Sequence, residues 1–394
     1  PPVYAQKNKQ QTFRVAVIGD VQVGDFHEID YANQTLMPEL IDLKEIDFAL
    51  FLGDLVNNDP SLFPYVKEMT EQLPYPSRFV FGNHDRDIGP DGIRDSIFKV
   101  HFGPTHYAFD RNGVHFIVLN NIYPKGKLGY EGLISEEQLD FVRNDLKKIP
   151  NDRLLVVCQH IPLVHTKNKQ DLIRLFQGRK HILFLSAHTH TLERHFISEE
   201  GVFIHELIAG TSCGNWWVGE RDWNGIPAAM MQCGSPRNYF LINFNKNAYT
   251  IQFKGIGKDA NKQMNIWVEG QDTISTLTAL PNDKNNIIAN IFGASDSTLV
   301  MMQIDNGEPV RMAKTAIIDP DVHRMISWNR SVYPTAYSKR SALRKLPSPH
   351  ILTSSFPDGL SPGIHKIKIT AKDNFGFEVV GYRTFTVKNI SLQP

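Results

Sequence analysis

The chain has 394 residues, 41% hydrophobic and 21% charged, which is the balance of a globular protein with room for one large domain and a smaller one. Its 42 basic and 42 acidic side chains cancel, which removes the basic excess that nucleic-acid binders depend on, so no nucleic-acid partner is expected. No apolar run approaches the ~20 residues that cross a bilayer, and three cysteines without CxxC spacing argue against a zinc–thiolate site.

Residues 1–11 read as an N-terminal tail. Within them "VYAQ" places Val3 and Ala5 three and one residues before a cut, as at a secretory signal junction, and points to a periplasmic or secreted protein. From residue 12 to 261 short apolar runs alternate with helical patterns. "FRVAVI" (13–18), "DFALFL" (47–52), "SRFVF" (77–81), "VHFIVL" (114–119), "RLLVVCQ" (153–159) and "HILFLS" (181–186) read as strands buried on both faces. The clearest helix opens with a capping box, Ser135 and Gln138, and lines up Leu139, Val142, Leu146 and Ile149. This alternation predicts an α/β layered domain. "FIHELIAG", "NYFLINF" and "AYTIQF" follow without helices between them and predict a second sheet with antiparallel pairing. From 262 to 394 short β-type runs separated by Gly, Pro, Asn and Asp predict a smaller C-terminal β-sandwich. A basic stretch at 333–350 interrupts it and reads as a solvated loop or short helix.

Five apolar runs end in a coordinating residue. "VAVIG" leads into Asp20 and then Gln22, "FALFLG" into Asp54, and "RFVFG" into Asn83 and His84. "LLVVCQ" leads into His160 and "ILFLSA" into His188 and His190. If the strands share a sheet, endings that supply only Asp, Asn, Gln and His converge on its carboxyl edge, where α/β proteins place their sites. Glycines just before Asp20, Asp54 and Asn83 fit sharp turns where backbone approaches closely. Carboxylate and amide oxygens with imidazoles suit Mn, Fe or Zn. Seven groups are too many for one tetrahedral ion but fit two sharing a carboxylate, and two ions about 3.5–4 Å apart clamp an in-line displacement at phosphorus.

At these residues the chain resembles the calcineurin-like metallophosphoesterases. The resemblance rests on "GD" with Gln22, "GDLVNND", "GNHD", the isolated His160 and "AHTH". Further matches, such as "GTSCGNWW" and "GLSPGIHKIKITAKDNFG", make the chain similar to a bacterial branch with a C-terminal β-sandwich. The resemblance implies a layered αββα catalytic sandwich. It implies that Asp20, Gln22, Asp54 and His190 hold a first divalent ion, that Asp54 bridges to a second, and that Asn83, His160 and His188 complete that one. His84 would face the phosphate, steadying charge or protonating the leaving oxygen.

Three positions depart from the family pattern. Gln22 stands where the family commonly has histidine and offers a harder, neutral oxygen that favours Mn or Mg over Zn. Asn57 stands where an aspartate usually partners the catalytic histidine; Asp85 or Asp59 could take that part. Ala187 replaces a glycine.

Arg86 is a candidate for pairing with a phosphate oxygen, and His165 for reaching the substrate from its loop. Trp216 and Trp217 form a Gly-flanked loop that could stack a base, sugar or lipid headgroup. His195 and His205 read as ordinary surface or core residues.

The expected function is therefore dinuclear-metal-dependent hydrolysis of a phosphate ester by a metal-bound hydroxide, with a phosphomonoester as the first expectation. The substrate would be a phosphorylated small molecule, lipid or phosphoprotein. The alternatives are a phosphodiesterase or pyrophosphatase acting on a nucleotide or lipid headgroup, and a surface binding protein with a vestigial metal site.

Overall fold

The computed structural model describes residues 12–87, 94–126, 129–269, 271–272, 286–331 and 343–388; the N-terminal tail and residues 333–342 of the basic stretch lie outside these. The chain opens with β1 (Thr12–Ile18), α1 (Phe26–Asp42), β2 (Phe48–Phe51), α2 (Phe63–Glu71), β3 (Ser77–Phe79) and α3 (Ser96–Phe102). It continues through β4 (Tyr107–Arg111), β5 (Val114–Val118), a hairpin of β6 (Ile122–Lys125) and β7 (Gly129–Gly132), and α4 (Glu136–Leu146). Next come β8 (Leu155–Cys158), α5 (Lys169–Arg174), β9 (Ile182–Ser186), β10 (Leu192–Glu199), β11 (Val202–Ala209), β12 (Asn238–Asn245) and β13 (Ala248–Gly255).

These strands form two stacked sheets, in the orders β13-β12-β1-β2-β3 and β10-β11-β9-β8-β5-β4. Alternation along each strand explains the layering. Val15, Val17, Phe48 and Leu50 join Phe116, Val118, Val156 and Leu185 in the core between the sheets. Their neighbours Ala16, Ile18, Ala49 and Phe51 turn outward under Ile29, Leu36 and Leu40 of α1 and Phe63 and Val66 of α2. On the other side Leu155, Val157, Ile182 and Phe184 lie under Leu139, Val142 and Leu146 of α4 and Leu172 of α5. The result is the expected layered αββα sandwich.

Two details differ from expectation. The three late runs do not form a sheet of their own: β11 pairs parallel with β9 in the second sheet, while β12 pairs antiparallel with β1 and carries β13. Antiparallel return is permitted at β1 because it is the edge of the parallel set. The capping box at α4 is also half open. Ser135 Oγ accepts from Gln138 N (3.4 Å), but the Gln138 amide bonds both backbone groups of Asn120 instead of closing the box.

Beyond β13, two four-stranded sheets pack as a sandwich. One contains β14 (Met264–Val268), β15 (Asn286–Ile291), β18 (Ala313–Lys314) and β19 (Ile351–Ser355); the other contains β16 (Leu299–Ile304), β17 (Val310–Arg311), β20 (Gly363–Lys372) and β21 (Glu378–Val387). A further helix, α6 (Pro320–Ser331), lies between β18 and β19 in the chain. The sandwich core, with Ile287, Met302 and Ile367, is continuous with the inter-sheet core, and Phe253 meets Phe292 at 4.9 Å. Among the described residues no helix is long and apolar enough to cross a membrane.

Candidate metal centre

The centre straddles both sheets. Asp20, Gln22, Asp54, Asn83 and His84 follow β1, β2 and β3, while His160, His188 and His190 follow β8 and β9. Backbone hydrogen bonds tie these loops together: Gln22 N donates to Asp54 O (2.8 Å), Ala187 N to His160 O (3.0 Å) and Cys213 N to Asp20 O (3.0 Å). The glycines are there for close approach. A Cβ on Gly19 would sit 1.9 Å from Gly210 O, and one on Gly82 would sit 2.1 Å from Asp54 N.

Five of the seven candidate ligands adopt left-handed backbone: Asp20 (φ 20°), Gln22 (42°), Asp54 (50°), His188 (72°) and His190 (51°). Such a conformation costs a non-glycine residue of order 1–3 kcal/mol and persists only where the surroundings over-determine it.

The side chains then meet. His160 Nδ1 donates to Leu52 O (2.7 Å), which turns Nε2 toward Asn83 Oδ1 (3.0 Å), Asp54 Oδ2 (3.1 Å) and His188 Nδ1 (3.2 Å). His190 Nδ1 donates to Gly214 O (2.6 Å), leaving Nε2 3.4 Å from Asp20 Oδ2. Backbone carbonyls that orient metal-binding imidazoles in this way are a recurrent outer-shell device. Asp54, His160 and His188 bring one donor atom each within 4.8 Å of one another. His84 N donates to Asp54 Oδ1 (2.7 Å).

Burial and the carboxylates set the electrostatics of the site. Burial raises Asp20 well above the usual carboxylate range, and the Asp54 charge adds to the rise against the pull of His160. Burial opposes charge on His160, yet Asp54 and Asp20 together hold it up at about 9. Burial lowers His188 to about 3 and His190 to about 4, so both rings are neutral with lone pairs free to ligate.

Asp20 Oδ2, Gln22 Nε2 and His84 Nδ1 are buried and lack any hydrogen-bond partner. An unsatisfied buried polar atom costs about 1–3 kcal/mol, and the two on Asp20 and Gln22, both candidate ligands, fit a divalent cation. Gln22 fits with its amide turned over. The oxygen then takes the unpartnered position and the NH2 group faces Cys213 Sγ, which lies 3.7 Å from the present Oε1.

The remaining candidates divide. Asp85 is a brace: its carboxylate accepts from Leu55 N (2.7 Å), Val56 N (3.2 Å) and Gly82 N (3.0 Å), locking the Asp54 loop to the Asn83 loop. Asn57 is exposed and accepts from Asn58 Nδ2, and Asp59 caps a short turn at Ser61. Arg86 is nearly buried, donating to Asn83 O (2.6 Å) and Gly129 O (3.2 Å) with its guanidinium 4.8 Å from the Tyr130 ring. It thereby fastens the β6–β7 hairpin to the Asn83 loop. His165 is exposed at the end of a short turn. Trp217 is buried and donates to Val21 O (2.9 Å), whereas Trp216 stacks on His190 with ring centroids 4.3 Å apart. His195 pairs with Glu193, and His205 lies between Arg194 and Tyr249.

Three contributors are not among the polar residues that end the apolar runs. Tyr130 reaches the centre from the hairpin, edge-on to His188 at 6.1 Å. Cys213 and the Gly214 carbonyl come from the loop after β11, near Gln22 and His190.

With this geometry in place the comparisons are direct. Residues 13–192 match the family model for calcineurin-like phosphoesterases and residues 206–378 match the model for the C-terminal region of calcineurin-like phosphoesterases, so the chain belongs to this family of hydrolases. The second match begins within β11 and takes in the Trp216 loop, β12 and β13 as well as the sandwich.

The chain is 27% identical over 160 residues to the 3',5'-cyclic-nucleotide phosphodiesterase of Nostoc sp. (strain PCC 7120), a match covering 37% of this chain and 58% of that protein. It is 23% identical over 170 residues to a protein of Fibrobacter succinogenes named "Probable cyclic nucleotide phosphodiesterase", covering 42% of this chain and 63% of that one. The matches thus span less than two thirds of either relative. A purple acid phosphatase from yellow lupin seeds superposes with a TM-score of 0.46 at 14% identity, covering 63% of this chain and 52% of that one.

Proposed function

We propose that this chain hydrolyses phosphate monoesters with two divalent cations, Mn, Fe or Zn. In this reading one cation is held by Asp20, Gln22, Asp54 and His190, and the other by Asp54, Asn83, His160 and His188. The observation that carries it is the gathering of donor atoms, with His190 Nε2 3.4 Å from Asp20 Oδ2 and with Asp54, His160 and His188 each placing one within 4.8 Å of the others. Bound there, the cations supply Lewis-acid charge and activate water near neutral pH.

The chain's own residues do the rest. Leu52 and Gly214 carbonyls aim the two imidazoles, and the Asp85 brace fixes the Asp54 and Asn83 loops relative to each other. In this reading the His84 ring faces the phosphate, where a ring N–H steadies the developing charge or, when the ring is protonated, passes its proton to the leaving oxygen.

A second reading, hydrolysis of a phosphodiester at the same centre, is favoured by the names of the two relatives above. Turnover of an aryl phosphomonoester and an aryl phosphodiester, before chelation, after it, and after Mn is restored, tests both. Monoester turnover that follows the metal supports the first reading and diester-only turnover the second. Neither activity in a folded, Mn-loaded protein would sink both.

A further inference from the structure

We propose that Trp216 is a stacking platform that selects esters carrying a planar aromatic group, a nucleobase or an aryl ring, next to the phosphate. The inference rests on the centre binding phosphate esters and goes further by naming what the ester carries.

Trp216 and Trp217 are successive left-handed residues, with φ 56° and 51°. Bulky side chains seldom adopt such backbone, and the pair has a definite result: Trp217 turns inward and is 3% exposed, while Trp216 turns outward and is 39% exposed. Trp217 is the anchor. Its indole donates to Val21 O (2.9 Å), between two candidate ligands, and Arg237 lies 4.8 Å from its ring. The same turn is pinned by Cys213 N to Asp20 O (3.0 Å) and Asn215 N to Ala229 O (2.9 Å). Its Gly214 carbonyl also holds His190.

Trp216 is therefore registered to the metal-binding residues by the loop that orients one of them. One indole face lies on His190, at 4.3 Å and 27° between planes. Among the described residues no second ring contact and no cation contact covers the other face. Shielding His190 from water would need only an apolar side chain; an indole that stays 39% exposed adds a π surface suited to offset stacking with a flat ring. Aromatic platforms of this kind bind any base, because every base presents a π face.

The test is calorimetric binding to the Mn-loaded full chain of three phosphonates that resist hydrolysis: phenylphosphonate, cyclohexylphosphonate and the 5'-phosphonate of adenosine. Wild type is expected to bind the phenyl or adenosine compound about tenfold or more tightly than the cyclohexyl one. Preference for phenyl alone identifies an aryl ester as the source, and preference for adenosine alone a nucleotide. Trp216→Leu, which keeps an apolar cover on His190, should reduce the margin to about threefold or less, and Trp216→Phe should retain most of it. Equal affinity of wild type for all three overturns the platform while leaving phosphoester binding intact. So does an equal loss for all three in Trp216→Leu, which would make the indole a cover for His190 only. If none of the three binds, the phosphoester reading fails and the platform with it.

Discussion

Two buried polar clusters in this molecule are built on opposite terms. Where the sandwich meets the two stacked sheets, Arg194 and Asp373 have fully buried side chains and are saturated with partners. Arg194 gives hydrogen bonds to Asp373 Oδ2 (2.7 Å), Gly293 O and His205 Nε2, and Asp373 also accepts from Thr298 Oγ1 and Phe375 N. At the carboxyl edge, Asp20, Gln22 and His84 are left with unpartnered atoms, and ring lone pairs face carboxylate oxygens. Strain follows the same division. Half of the fourteen non-glycine left-handed residues among the described ones belong to the centre or its tryptophan turn, and only Asp305 lies in the sandwich. A cluster that satisfies itself holds a fold together. One that does not is shaped for something that binds.

Four changes would break or sharpen that contrast. His188→Gly removes a candidate ligand at φ 72° and should lower kcat/KM by about 10³-fold, roughly 4 kcal/mol. The same change should raise metal-free stability by up to about 1 kcal/mol, because glycine accepts left-handed backbone; thermal unfolding with and without Mn shows both.

At the interface the reverse is expected. Arg194→Met leaves a buried carboxylate unpaired and should cost about 3–5 kcal/mol in chemical denaturation, with ion content and activity per folded molecule kept. Arg194→Met with Asp373→Leu should recover most of the loss.

Gln22→His exchanges an amide oxygen for an imidazole, which suits Zn better. It should shift the Zn-over-Mn preference about tenfold, roughly 1.4 kcal/mol, in a competition titration.

The smallest effect is on pH. His160 is raised to about 9 in the metal-free fold by Asp54 and Asp20, against the effect of burial. Its contribution to stability is therefore complete below pH about 6.5 and lost as pH rises through about 9. Metal-free melting temperatures should fall across that window, while Mn affinity rises as the proton ceases to compete.

Much of the centre was legible because each ligand-type residue ends an apolar run, and a buried strand must deliver the residue after it to an edge. Asp20, Asp54, Asn83, His160, His188 and His190 can all be read in this way. The division of those strands between two sheets was not legible, since periodicity gives no pairing partner. Late strands such as β12 looked like a separate sheet for the same reason. β10 carries no continuous apolar run, because its edge position lets it alternate charged residues, as in "LERHFISE". Tyr130, Cys213 and the Gly214 carbonyl were invisible because loops bring them in through folding in three dimensions. Arg86 reads as a phosphate ligand in the sequence, yet two backbone carbonyls claim it.

Seven residues from two sheets, in the reading proposed above, hold two ions. Metal-stripped wild type titrated with Mn, with bound metal counted by mass spectrometry after desalting, tests it most directly. Two ions per folded chain are expected, and one in His190→Ala. A folded wild type that binds one ion or none would contradict it.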